Sequence, residues 1–308
     1  MPRKDIHFQT DDGVTLRGWL FTPENHSGKL ACLVMAHGWS AVKEMDLELF
    51  ANHFTSHLAL ACLVFDHRSF GASDGEPRHE IVPSSQKNDY SDAVTYVQSL
   101  DGIDADRVGI WGTSYSGGVV LEVAAVDKRV KAVLAQIPFT TGPETYRRLM
   151  SSDSLPEWAK MFQNDRLNRM AGKGPTYIPI AGKDPLAMVA LPKWDCYHFM
   201  IELGQVPPEW VNRVTVKSVE LMSVNDPAAQ IHRISPTPLL MTIAENDTLT
   251  PTDLALEAYS RAREPKQLHL IPGGHFDGYG GPNFERNVGT QTEFLAKWLC
   301  KGGSSVAN

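Results

Sequence analysis

Residues 108–120 read V-G-I-W-G-T-S-Y-S-G-G-V-V, an apolar run that breaks at Gly112-Thr113-Ser114-Tyr115-Ser116-Gly117-Gly118 and passes directly into an Ala/Val/Leu-rich helical pattern. A strand that turns this sharply into a helix must pack closely against it, which small residues on both sides of the turn allow. A serine held there projects its Oγ beyond the strand end, and the next backbone N–H points to where an oxyanion would form. Ser114 is therefore the candidate nucleophile. The literal pentapeptide G-x-S-x-G falls elsewhere, at Gly71-Ala72-Ser73-Asp74-Gly75. That segment lies past its strand and is followed by Glu76-Pro77-Arg78, which cannot open a long helix, so context favours Ser114.

The rest of the chain reads as a frame for that turn. Residues 5–10 and 14–21 alternate apolar and polar side chains around Asp11-Asp12-Gly13 and predict an antiparallel hairpin. Continuous apolar runs at 30–35, 58–65, 108–113, 130–137, 238–244 and 267–271 predict strands of a sheet that is mostly parallel and buried on both faces. Helical patterns at 44–56, 86–100, 115–126, 252–263 and 283–299 supply the crossovers. Between 139 and 235 the alternation stops, and six of the ten methionines and three of the seven tryptophans gather among Pro, Gly and short helical pieces. The expected architecture is an α/β core of 1–138 and 236–308, with 139–235 inserted as a mainly helical lid on the carboxyl edge of the sheet. Residues 301–308, rich in Gly and Ser, are expected to form a frayed tail.

Composition narrows the function. With a net charge of −7 and no long basic run, a nucleic-acid partner is disfavoured. No run reaches the roughly 18 consecutive apolar residues of a membrane span, and the first residues show no secretory leader. Cys32, Cys62, Cys196 and Cys300 lie far apart without C-x-x-C spacing, which predicts reduced core thiols, a cytoplasmic setting and no metal site. A cofactor-independent reaction is expected.

A serine hydroxyl is a weak nucleophile near neutral pH, so a histidine must take its proton and a carboxylate must orient that histidine. The loop after 239–244 reads Glu245-Asn246-Asp247-Thr248-Leu249-Thr250-Pro251, and the loop after 267–271 reads Pro272-Gly273-Gly274-His275-Phe276-Asp277. Both leave the sheet on the edge where Ser114 stands. Asp247 is the expected acid, with Glu245 as its rival, because Thr248 and Pro251 suggest a turn that holds Asp247 in place. His275 is the expected base, whereas His269 sits inside a strand pattern. The loop after 30–35 carries His37-Gly38-Trp39, so the backbone N–H groups of Trp39 and Tyr115 are the expected oxyanion donors. Asp66, Arg68 and Asp74 are expected to form a structural loop network.

Taken together, His37-Gly38, Asp66-x-Arg68-x-x-Gly71-x-Ser73, the elbow Gly112-x-Ser114-x-Ser116-Gly117-Gly118, Asp247 before Thr248, and Gly274-His275 resemble the α/β-hydrolase superfamily. Within it the chain is similar to the dienelactone-hydrolase-like and X-prolyl-peptidase-like serine hydrolases, and to a fungal branch named for the polyketide transferase of fumagillin biosynthesis. The resemblance implies an α/β-hydrolase fold and the hydrolysis or transfer of acyl groups from esters or thioesters in secondary metabolism. Ser69 stands where this superfamily often has glycine, and Ser116 replaces the last elbow glycine. A serine at 114 argues against dehalogenases and epoxide hydrolases, which use Asp there, and against dienelactone hydrolase, which uses Cys.

The resulting expectation is an acyl-enzyme at Ser114, formed from a thioester or ester of a bulky apolar, polyketide-like acyl group, free or bound to CoA or a carrier protein. Trp39, Phe139, Met150, Trp158, Phe162, Trp194 and Tyr197 are the expected pocket residues, since aromatics and thioethers suit such a group. Their alternative role is to build the core of the lid. The same three polar residues could instead move protons in a lyase, cyclase or isomerase, and a non-catalytic binding module could also keep the fold.

Overall fold

Strand β1 (Arg3–Gln9) pairs antiparallel with β2 (Thr15–Phe21), from Arg3 opposite Phe21 to Gln9 opposite Thr15. Their turn closes through Thr10, whose hydroxyl donates to Asp12 at 2.6 Å, and through Gly13 at φ +85°. The computed structural model describes residues 2–184, 187–203 and 206–300, so the expected tail at 301–308 lies outside the described residues. Next come β3 (Leu30–Ala36), β4 (Leu60–Phe65), β5 (Ile103–Thr113) and β6 (Val130–Gln136). A short pair, β7 (Tyr177–Ile178) and β8 (Val214–Thr215), stands apart, and β9 (Leu239–Ala244) and β10 (Lys266–Ile271) return to the main sheet. Its order is β1-β2-β4-β3-β5-β6-β9-β10, antiparallel at β1, β2 and β4 and parallel from β4 onward.

The apolar runs lie where burial on both faces requires them. Every residue of β3 is buried, with Cys32, Val34 and Ala36 in one core and Ala31, Leu33 and Met35 in the other. Helices α1 (Leu47–His57), α2 (Pro83–Gln98) and α3 (Tyr115–Val126) connect the first half of the sheet. Some boundaries differ from expectation for local reasons. Helix α1 starts at Leu47, after Asp46, which takes φ +66° and so cannot continue a helix. It runs through His57, with the Leu58 N–H donating to the Phe54 carbonyl at 2.9 Å, and this delays β4 to Leu60. Helix α2 opens early, at Pro83, because proline at the first helical position sacrifices no needed N–H.

Residues 137–238 leave the sheet between β6 and β9, which nonetheless pair in parallel. This excursion holds α4 (Gly142–Leu149), α5 (Leu155–Met170), the single turn α6 (Trp194–Tyr197) and α7 (Val216–Val224). The chain then closes with α8 (Thr252–Arg261) and α9 (Gly281–Trp298). The loops that follow β3, β5, β6, β9 and β10 all emerge at the carboxyl ends of parallel strands. Among the described residues, no helix is long and apolar enough to cross a membrane.

Candidate active site

Ser114 sits between β5 and α3 at φ 56° and ψ −117°, a backbone conformation that side chains disfavour. The end of β6 and the loop after it hold it there. Its N–H donates to the Gln136 carbonyl at 2.8 Å, and its carbonyl accepts from Phe139 at 2.9 Å. The turn is tight enough that a Cβ on Gly112 would overlap the Ser116 carbonyl. Gly112→Ala is therefore expected to destabilise the fold by about 3 kcal/mol or more, as overpacking against backbone does. A shift in the urea midpoint checks it, and an unchanged midpoint would contradict the geometry.

The structure brings the expected acid and base to this serine. His275 Nε2 lies 3.0 Å from Ser114 Oγ, and His275 Nδ1 lies 2.7 Å from Asp247 Oδ2. The imidazole and the carboxylate are both almost wholly buried, which strengthens their interaction. The turn after Asp247 also holds the carboxylate in place. The N–H groups of Leu249 and Thr250 each donate to Oδ1 at 2.8 Å, and the Thr250 hydroxyl lies 2.8 Å from Oδ2. Burial alone would raise the Asp247 pKa, but the His275 charge, its hydrogen bond and the bonds from Thr250 outweigh that and hold it below the usual carboxylate value. The rival Glu245 is exposed at the end of β9, and His269 lies on β10 beside Thr290, 3.5 Å away.

The loop after β3 passes directly over the elbow. A Cβ on Gly38 would stand 3.3 Å from the Ser114 Cβ. Among the described residues the Trp39 N–H has no hydrogen-bond acceptor. The Tyr115 N–H lies in the first turn of α3, where helix geometry supplies no internal acceptor. Beneath them Ser116 answers the question its sequence raises. Its hydroxyl donates to the His37 carbonyl, and His67 Nε2 lies 2.7 Å from the same oxygen. Because that hydroxyl's one proton is spent on His37, His67 Nε2 must be the donor, which leaves Nδ1 unprotonated. Nδ1 is buried without a partner among the described residues. Burial drives the His67 pKa far down, keeping the ring neutral. The His67 N–H in turn donates to His37 Nε2 at 3.1 Å, so His37 carries its proton on Nδ1, 2.9 Å from the Gly38 carbonyl. A serine at 116 thus ties the Gly38–Trp39 loop to α3. His67→Ala is expected to lower kcat by about ten-fold with KM nearly unchanged, part of what losing an oxyanion donor outright would cost. Steady-state kinetics on the folded variant check this.

The polar loop after β4 is structural in its contacts. Asp66 accepts from the Lys43 N–H at 2.7 Å, from Lys43 Nζ at 2.8 Å and from the Ala72 N–H at 2.9 Å. Arg68 pairs with Asp89 and Asp12, and Asp74 with Arg17. Ser73, the serine of the literal pentapeptide, donates to the Asp66 carbonyl at 2.7 Å and accepts from Arg17 N–H at 2.9 Å, so its hydroxyl is already committed. Among the described residues no cluster of His, Cys, Asp and Glu is suited to hold a metal, and the cysteines described are free thiols.

A narrow apolar cavity of about 60 Å³ lies above Ser114. Trp39 and Phe139 line it, together with Leu149, Leu191, Phe199 and Met200. Met150, Trp158, Phe162, Trp194 and Tyr197 do not. Met150 and Trp158 are buried in the core, and Phe162 packs on Trp158 at 5.7 Å and on Tyr146 at 6.3 Å. Trp194 is 56% exposed and lies against Tyr197 on α6. Phe276, next to the candidate base in the chain, and Leu249, two residues past the candidate acid, also line the cavity, and that proximity could have revealed them. Phe199 and Met200 lie on a π-helical turn, His198–Glu202, which leaves no regular period to read.

A mostly parallel sheet with helices on both faces, and a Ser–His–Asp chain at its carboxyl edge, define the class: this is an α/β hydrolase. Residues 12–277 match the X-Pro dipeptidyl-peptidase (S15) family, and the chain belongs to that family. It is 34% identical to a thiohydrolase from Eupenicillium brefeldianum over 99% of this chain and 98% of that one. It is 33% identical to the polyketide transferase GrgF of a Penicillium species, over 97% and 98% of the two chains. The crystal structure of the α/β hydrolase GrgF from Penicillium sp. sh18 superposes with a TM-score of 0.84 at 31% identity, covering 97% of this chain and 99% of that one. DcsB, solved with its substrate analogue, gives 0.86 at 26% identity with the same coverage. The expected likeness to fungal polyketide transferases therefore holds, and the family and relatives agree on an enzyme of hydrolase type.

Proposed function

We propose that the protein is a serine-dependent thioesterase or acyltransferase acting on an apolar, polyketide-like acyl group. The observation that carries this reading is the continuous hydrogen-bonded chain from Asp247 through His275 to Ser114 at the floor of an apolar cavity. Ser114 Oγ attacks the acyl carbonyl while His275 Nε2 takes its proton. The oxyanion is met by the N–H groups of Trp39 and Tyr115, each worth about 2.7–4 kcal/mol in comparable sites. His275 then protonates the leaving thiol or alcohol, and water or an acceptor alcohol releases the acyl group. Residues 139–235 serve as a lid whose Leu149, Leu191 and Met200 exclude water from the acyl chain. The names thiohydrolase and polyketide transferase among the relatives support thioester chemistry and transfer as the two outcomes.

The test is labelling and turnover with N-acetylcysteamine thioesters of increasing chain length. A fluorophosphonate is expected to label Ser114, and a medium-length chain to be turned over faster than acetyl. A protein that turns over these thioesters while Ser114 stays unlabelled would refute the acyl-enzyme.

A further inference from the structure

Two spaces meet at His275. The apolar cavity touches the imidazole on one side, and an open groove of about 760 Å³ touches it on the other. The wall between them is made of rings, since Phe199, Phe276 and Tyr279 line both spaces. Phe199 and Phe276 stack with centroids 4.2 Å apart and planes 12° apart, and Phe276 meets His275 edge-on at 4.9 Å. Tyr279 is anchored by its hydroxyl to Thr113, and Phe276 by its place next to His275 in the chain. Phe199 rides on the π-helical turn, which is tied at the side-chain level by an exposed His198–Glu202 hydrogen bond of 2.6 Å.

The two sides also differ in chemistry. The inner lining is mostly apolar, with His37, Thr113, Thr145 and Thr250 among its polar residues, whereas the outer lining carries Asp46, Asp195, Asp277, Asn246 and the Glu202-paired His198, with no Lys or Arg among its described residues. Carboxylates in a groove repel anions and accept hydrogen bonds from hydroxyl or ammonium groups. We propose that the outer groove is the acceptor site, taking a neutral or cationic alcohol that reaches Ser114 past the Phe199–Phe276 stack while the acyl chain stays in the inner cavity. This assignment rests on the acyl-enzyme reading above. In the transfer step the acceptor oxygen bonds to the acyl carbon as its proton passes to His275 Nε2. Collapse of the tetrahedral adduct breaks the bond between that carbon and Ser114 Oγ, and Oγ recovers the proton from His275. The product ester leaves through the groove, so Phe199 and Asp195 set acceptor choice and the inner lining sets acyl choice.

The experiment supplies a hexanoyl N-acetylcysteamine thioester at low salt with one of three acceptors: 1,3-butanediol, choline or 3-hydroxybutyrate. The readout is the ratio of ester to free acid. That ratio is expected to be at least about ten-fold higher for the neutral and cationic alcohols than for the anionic one, within the range that a like-charged cleft imposes. Asp195→Lys should shrink the difference at least about three-fold, and Phe199→Ala should raise the ratio more for cyclohexylmethanol than for butanediol. Fluorophosphonate labelling of Ser114 verifies that each variant is folded. Equal ratios for the three acceptors, a preference untouched by Asp195→Lys, or a Phe199→Ala variant altered only in acyl-chain selectivity would overturn the groove assignment. Thioester turnover retained in Ser114→Ala would instead sink the acyl-enzyme reading. Turnover lost in Ser114→Ala, without acceptor discrimination in the parent, overturns the groove alone.

Discussion

Ser114→Ala is expected to reduce kcat by at least about 10⁴-fold while the protein stays folded. Removing one member of such a unit costs nearly as much as removing all of it, and the residual rate comes from the oxyanion donors and binding. Alanine must adopt the same φ of 56° as the serine it replaces, so the backbone strain is carried over and stability should change little. The substitution leaves the 2.8 Å bond from residue 114 to Gln136 intact. Single-turnover release of thiol from a thioester measures the loss, and thermal denaturation verifies the fold. Activity within ten-fold of the parent would exclude Ser114 as the nucleophile.

Asp247→Asn is expected to lower kcat by about 10³- to 10⁴-fold, because it reverses the proton on the imidazole. Oδ1 accepts from two backbone N–H groups, those of Leu249 and Thr250, so the amide oxygen of an asparagine must take that position. Its NH₂ then faces His275 Nδ1 and donates to it. The ring proton moves to Nε2, where it points at Ser114 and the nitrogen can no longer act as base. The same residue links stability to pH. The folded pKa of Asp247 is depressed relative to the unfolded chain, so its stabilisation is fully present above the unfolded carboxylate value and is lost as pH falls through the folded one. The asparagine variant should lack that acid-side slope. Urea unfolding of both proteins between neutral and acid pH measures it, and parallel slopes would contradict the linkage.

Much of this site is legible from residue order, because its main chemistry rests on strand ends. Apolar runs such as β3 and β9 are long enough to declare burial on both faces, and a parallel strand's carboxyl end has only one side of the sheet on which to emerge. That constraint sends Ser114, Asp247 and His275 to one edge although 161 and 28 positions separate His275 from its two partners. The excursion between β6 and β9 has no such constraint. Aromatic and methionine residues crowd it, yet which of them faces inward depends on how short helices fold back on the sheet. Trp158 turned into the core and Trp194 into solvent, while Phe199 reached the cavity from a π-helical turn.

Ser116 shows the same division at the scale of one side chain. As a departure from glycine it signals altered contact under the elbow, but its partners, the His37 carbonyl and His67, come from loops 79 and 49 residues away. The sequence by itself determined the strand–helix alternation, the elbow and the order of serine, acid and base, because these depend on local periodicity and chain direction. Only the tertiary structure decided the polar tie beneath the Gly38–Trp39 loop, the inner cavity's lining and the ring wall between cavity and groove. Those depend on side chains from distant segments meeting, and close packing selects such meetings without leaving a periodic trace in the chain.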